Sequence, residues 1–206
     1  MNAPAALRYW GIPAAILLAA ATSAGAEPAG DEPGALLKQA VSEVLAVSNA
    51  PNATPASVHD GVRPLLKKYA DPTLMTRRAI GPAWREFTAG QQKRAVTLFT
   101  DIALGTYADK FTPGLHPVIV YRGTVELAPN RREVPMSMTT EEGQPLEAVF
   151  RFEHTAAGWR IYDIVVEGVS LVANYRSQFD SIFQKSGAGG VLRALEAKTA
   201  ETPAKP

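Results

Sequence analysis

The hydrophobic pattern of the chain is helical at both ends and strand-like between them. Leu36, Leu37, Ala40, Val41, Val44 and Leu45 recur at three- and four-residue spacing and predict an amphipathic helix. "NAPNATP", starting at Asn49, breaks it. A second helix is expected over 56–68, kinked or interrupted at Pro64. Asp71-Pro72 puts a capping side chain before a proline at the first helical position, which opens a helix through "TLMTRRAI" as far as Gly81-Pro82. Thr88 with Gln91 forms a capping box for a longer helix over 89–111. Its apolar face carries Ala95, Val96, Phe99, Ile102, Ala103 and Tyr107.

After Pro113-Gly114 the period becomes two. "PVIVYRGTVEL", "EVPMSMTT", "LEAVFRFEH" and "WRIYDIVVEG" read as successive strands joined by short turns, an antiparallel meander. Two helices follow, over 169–185 and 190–198, separated by "SGAGG". Helices, then strands, then helices predict an α+β fold: an antiparallel sheet of four to five strands with helices packed on one face.

If His154 pairs with Trp159 across "TAAG", then Phe152 faces Ile161 and Ala148 faces Val165. Phe150, Phe152, Ile161 and Val165 then share one face, which Val169 continues. Met136 and Met138 alternate likewise one strand earlier, and flexible methionine tolerates ligands of variable shape. The opposite face carries Glu147, Arg151, Glu153 and Arg160. By pattern alone this is either an ordinary core between sheet and helices or the wall of a cavity.

The N-terminus reads differently. "MNAPAALRYWGIPAAILLAAATSAGA" has one positive residue, an apolar run and a small-x-small site before Glu27. It predicts a secretory signal peptide over 1–26, cleaved after Ala26, and is too short for a membrane span. One domain is then expected over 27–198, with a disordered tail over 199–206. The signal holds one of the 21 basic residues and none of the 20 acidic ones, so the mature chain is neutral. That balance argues against general affinity for nucleic acid or anionic membrane. Export without cysteine leaves packing alone to stabilise the domain and suits a bacterial periplasm.

The chemical motifs are incomplete. Gly168-Val169-Ser170-Leu171-Val172 lacks the second glycine of a nucleophile elbow, so Ser170 reads as the cap or first-turn residue of the last long helix. Asp163 and Glu167 are four apart on a strand, about 13 Å between Cα atoms, whereas paired glycosidase carboxyls stand about 5–9.5 Å apart. Structural partners, a helix end or an arginine such as Arg176, suit them better. His59, His116 and His154 stand singly, without metal-ligand spacing. "GAGG" at 187–190 lacks the spacing of a phosphate loop. The rival from a different class is a hydrolase or isomerase on a cone-like α+β fold using Asp163, Glu167 or Ser170.

"YDIVVEGVSLVANYRSQF" followed by "SGAGGVLRALEAK" resembles the C-terminal signature of the MlaC, or toluene-tolerance, family of periplasmic phospholipid carriers. "MTRRAIGPAWREFTAGQQKRAVTLFTDIALGTYADKF" is similar to the family's helical block, and the likeness runs over about 36–198. The resemblance implies a cone-like cavity between sheet and helices that buries acyl tails, no catalysis, and no cofactor besides lipid cargo. It implies a monomer ferrying phospholipid between an outer-membrane lipoprotein complex and an inner-membrane ABC transporter with a lipid-binding ring. A related branch is associated with hopanoids. Phe150, Phe152, Val165 and Val169 are expected on the sheet side of the cavity, and Phe99, Ile102 and Tyr107 on the helix side. Met136 and Met138 would be deformable wall, with Tyr175 near the last helix. Arg151 and Arg160 are the expected contacts for membrane partners.

Overall fold

The computed structural model describes residues 33–106, 112–139, 143 and 145–201. The expected signal peptide, Tyr107 and the last residues of the tail lie outside the described residues.

Four helices come first: α1 (Pro33–Ser48), α2 (Pro55–Tyr69), α3 (Pro72–Ile80) and α4 (Ala89–Thr106), with a 3-10 turn over Gly81–Glu86 between the last two. Local chemistry sets their starts. Thr54 and Ser57 exchange side-chain and backbone hydrogen bonds in a capping box at α2. The Asp71 carboxylate accepts from Leu74 N–H at 2.8 Å at the start of α3. The capping box expected of Thr88 and Gln91 is present at α4. Helix α2 runs through Pro64 without interruption, on an exposed side.

The sheet has six strands: β1 (Val118–Tyr121), β2 (Val125–Ala128), β3 (Arg131–Thr139), β4 (Pro145–Thr155), β5 (Gly158–Val166) and β6 (Val169–Ser170). All pairings are antiparallel, in the order β1-β3-β4-β5-β6, and β2 pairs with β3 on the same edge as β1. The count exceeds the expected four to five for two reasons. The segment read as one first strand breaks into β1 and β2. The chain also turns back at Glu167-Gly168, both with positive φ, and β6 pairs with the end of β5 before the last helix begins. Two consecutive positive-φ residues are what a tight hairpin turn requires.

The last helix, α5, spans Leu171–Glu201 with a non-helical break at Gly187. It therefore includes both expected helices and reaches Glu201, so 199–201 is helical rather than tail. Val134, Met136, Ala148, Phe152 and Ile161 enter the core from one sheet face and meet Leu37, Met75, Ile80, Phe99, Tyr175 and Val191 from the helices. The other face carries Glu147, Arg151, Glu153 and Arg160, as the alternation predicts.

Strand β5 departs from simple alternation. Phe152 pairs with Ile161, but Arg151 pairs with Asp163, so Tyr162 is an extra residue in a β-bulge. Beyond it every side chain changes face. Ile164 and Val166 therefore join Phe150 and Ala148 on the helix side, while Asp163 and Val165 turn outward. Tyr162 is buried and held by the Arg78 guanidinium, 4.3 Å from its ring centroid.

Candidate lipid-binding cavity

Helices α1 and α2 do not close tightly on the sheet. Between them lies a cavity with an empty volume of about 1170 Å3 out to its mouth. Helix α1 contributes Leu37, Ala40, Val41, Val44 and Leu45, and α2 contributes Val62, Leu65, Leu66 and Tyr69. Each set is a stripe at i, i+3, i+4 and i+7, one helix face. The sheet supplies Ile119, Met136, Met138, Leu146, Ala148, Phe150, Ile161, Ile164 and Val166. A second cavity of about 540 Å3 lies beyond, walled by Phe99, Thr100, Ala103 and Leu104 of α4 and by Leu171.

Among the described residues, the wall of the larger cavity is hydrocarbon and thioether, with one polar side chain. That is Tyr69, whose hydroxyl donates to Glu43 at 2.7 Å. Burial, and then the bond to Glu43, push the Tyr69 phenol above its ordinary pKa. The hydrogen bond from Lys68, and then that from Tyr69, hold the Glu43 carboxyl below its ordinary value. Lys68 Nζ reaches both Glu43 oxygens at 2.6 and 2.9 Å, so the group ties α1 to the end of α2. Among the described residues that line this cavity, Tyr69 is the one titratable side chain.

The expected site residues fall into several places. Met136, Met138 and Phe150 line the larger cavity, and Phe99 lines the smaller one. Phe152, Ile102 and Tyr175 are buried in the core but line neither. Tyr175 packs edge-on to Phe99 at 5.4 Å between centroids. Val165 is a correction: the bulge at Tyr162 turns it to the outer face, where it pairs with Ser170. Val169 is another. Its register matches that of Val166, but on the edge strand β6 it is 57% exposed and outside both cavities. The α1 and α2 stripes were visible as amphipathic spacing, but spacing alone does not say which helix faces the sheet.

Asp163 and Ser170 form a brace at the start of α5. Asp163 is only 3% exposed. It accepts from Ser170 Oγ at 2.7 Å, Val172 N–H at 3.1 Å and Arg151 Nη1 at 3.2 Å. Ser170 Oγ in turn accepts from Ala173 N–H at 2.9 Å, so both residues cap α5. The arginine partner is Arg151; Arg176 instead pairs with Asp180 and the Arg78 carbonyl. Glu167 accepts from Glu147 N–H and fixes the turn before β6. The guanidinium of Arg151, expected to meet partners, is engaged by Asp163 and Glu133. Arg160 donates to the Trp159 carbonyl. Among the described residues no cluster of three or more His, Cys, Asp or Glu side chains is placed to hold a metal ion.

Comparison with known proteins finds a matching family model and similar solved structures. A family model described as MlaC protein matches residues 38–197. Among solved structures, the chain is similar to the phospholipid-binding protein from Ralstonia solanacearum in complex with a phospholipid. The two are 26% identical with a TM-score of 0.74, over 82% of this chain and 97% of that one. None of the curated proteins matches.

Proposed function

Since the chain belongs to the MlaC family, we propose that it is a periplasmic phospholipid carrier that buries acyl chains in the cavity between α1, α2 and the sheet. It works as a monomer, taking lipid from one membrane's transport component and delivering it to the other's. Those components are an outer-membrane lipoprotein complex and an inner-membrane ABC transporter with a lipid-binding ring. The observation that carries this reading is the cavity itself, whose described lining is apolar apart from the Tyr69 hydroxyl, which is bonded to Glu43. The similarity to a structure holding phospholipid supports the choice of cargo.

The energetics suit a ferry. Two sixteen-carbon acyl chains hold roughly 30 methylenes, and exposing them at about 0.8 kcal/mol each would cost over 20 kcal/mol. Non-covalent affinity saturates near that level. Cargo therefore stays bound in water and leaves when a partner opens the cavity. Catalysis is not part of the reading, because Asp163, Glu167 and Ser170 lie outside the cavity and serve as caps and turn contacts.

A transfer assay tests this role. Donor vesicles carrying a fluorescent phospholipid are mixed with unlabelled acceptors, with and without the protein. Transfer should accelerate in proportion to protein concentration, and the recovered lipid should be chemically unchanged. Transfer no faster than the spontaneous rate, or recovery of hydrolysed lipid, would overturn it.

A further inference from the structure

The two cavities meet across five side chains that line both: Val62, Leu66 and Ala70 around the end of α2, Met75 of α3, and Ile164 of β5. We infer that they are two lobes of one lipid-holding space, and that the smaller lobe receives the distal end of an acyl chain and so sets the chain length the protein selects. This rests on the phospholipid-carrier reading.

The shared side chains form a partition. Its backbone is pinned, because Ala70 bridges to Ile161 and Asp71 N–H donates to the Ile161 carbonyl at 2.9 Å. Val62 and Ile164 are β-branched and stiff. Met75 is the one unbranched, flexible member, buried between the lobes. A rotamer change there is the least costly way to join the two spaces. The lobes are unequal, about 1170 and 540 Å3, so the larger accommodates the bulk of the cargo and the smaller only a chain end. Its far wall includes Ala103, whose small side chain leaves the room. The bulge at Tyr162 turns Ile164 into this boundary, opposite Phe150; without it Asp163 would stand there.

The test uses the full mature protein, delipidated and reloaded from an equimolar mixture of phosphatidylethanolamines that differ only in acyl length. Bound species are read by mass spectrometry. Ala103→Leu adds an isopropyl group to the smaller lobe and should shift bound lipid toward shorter chains. Each methylene denied burial should lower occupancy about fourfold, the ratio that ~0.8 kcal/mol corresponds to. Met75→Ala removes the movable part of the partition and should shift the profile toward longer chains. It also serves if Ala103→Leu fails to fold. A loaded wild type whose length profile neither variant alters would overturn the two-lobe inference and leave the carrier reading intact. A wild type that takes up no phospholipid would overturn both.

Discussion

Ile161 and Ile164 stand three residues apart on one β-strand and line the same cavity. In a regular strand they would face opposite ways. The extra residue at Tyr162 brings them together, and it also turns Asp163 outward to cap α5. One bulge thus both builds the cavity wall and anchors the last helix.

This arrangement distinguishes an isoleucine and a valine, Ile164 and Val169, that look alike in sequence. Ile164→Glu puts an unpaired carboxylate between both lobes, where its desolvation opposes the burial of lipid. Bound lipid should fall at least tenfold on purification, with circular dichroism unchanged. Val169→Glu, on the exposed edge strand, should keep its full complement.

Removing the brace should cost stability without touching lipid binding. Asp163→Ala leaves the Arg151 guanidinium and Val172 N–H without their buried acceptor, and urea denaturation should show a loss of about 3 kcal/mol. Ser170→Ala removes a helix cap and should cost about 1 kcal/mol. The double variant should lose less than the sum, because the two side chains share a hydrogen bond. Lipid content unchanged in all three would separate the brace from the cavity. Loss of lipid from folded Ser170→Ala would contradict that separation.

Much of this was readable before any coordinates. The caps at Asp71 and Thr88 are local chemistry, written in three or four adjacent residues. The meander follows from period-two alternation, and its outer face from the placement of Glu147, Arg151 and Glu153. The bulge leaves a single mark in "YDIVV": without it Asp163 would face inward opposite Phe150, whereas Ile164, Val165 and Val166 are apolar whichever face each takes. The helical side of the larger cavity is hidden for a related reason. Helix α4 offers Phe99 and Ile102, but Phe99 lines the smaller cavity and Ile102 the core, and the aliphatic stripes of α1 and α2 cover the larger space. Spacing identifies an apolar face, whereas only tertiary contacts say whether that face meets a neighbour or a void.

Gly81 is required by both its conformation and its neighbour. Its φ of 69° and ψ of −131° disfavour any side chain, and a Cβ would run into the Arg176 guanidinium. Gly81→Ala should destabilise the protein by about 1–3 kcal/mol, measured by thermal or urea unfolding. A neutral effect would show that the α3 terminus can relax.

The Glu43 group gives an acid signature. Its carboxyl is held below the ordinary value, chiefly by Lys68, so its contribution is complete above the unfolded-state pKa. That contribution is lost as pH falls through the depressed folded value. Glu43→Gln should therefore lower stability near neutrality and flatten the stability–pH curve on the acid side of the carboxylate range. Lys68, raised chiefly by Glu43, should lose its contribution only as pH rises through its folded pKa, beyond the ordinary lysine value. A curve for Glu43→Gln parallel to wild type would show that the tether does not couple to folding.

Native mass spectrometry of protein purified from bacterial periplasm under gentle ionisation tests the central claim most directly, with organic extraction of the same sample. The account predicts a mass above that of the mature polypeptide by one or more phospholipids, identified in the extract, and loss of that increment in Ile164→Glu. A wild-type mass equal to the bare polypeptide, with no lipid in the extract, would contradict it.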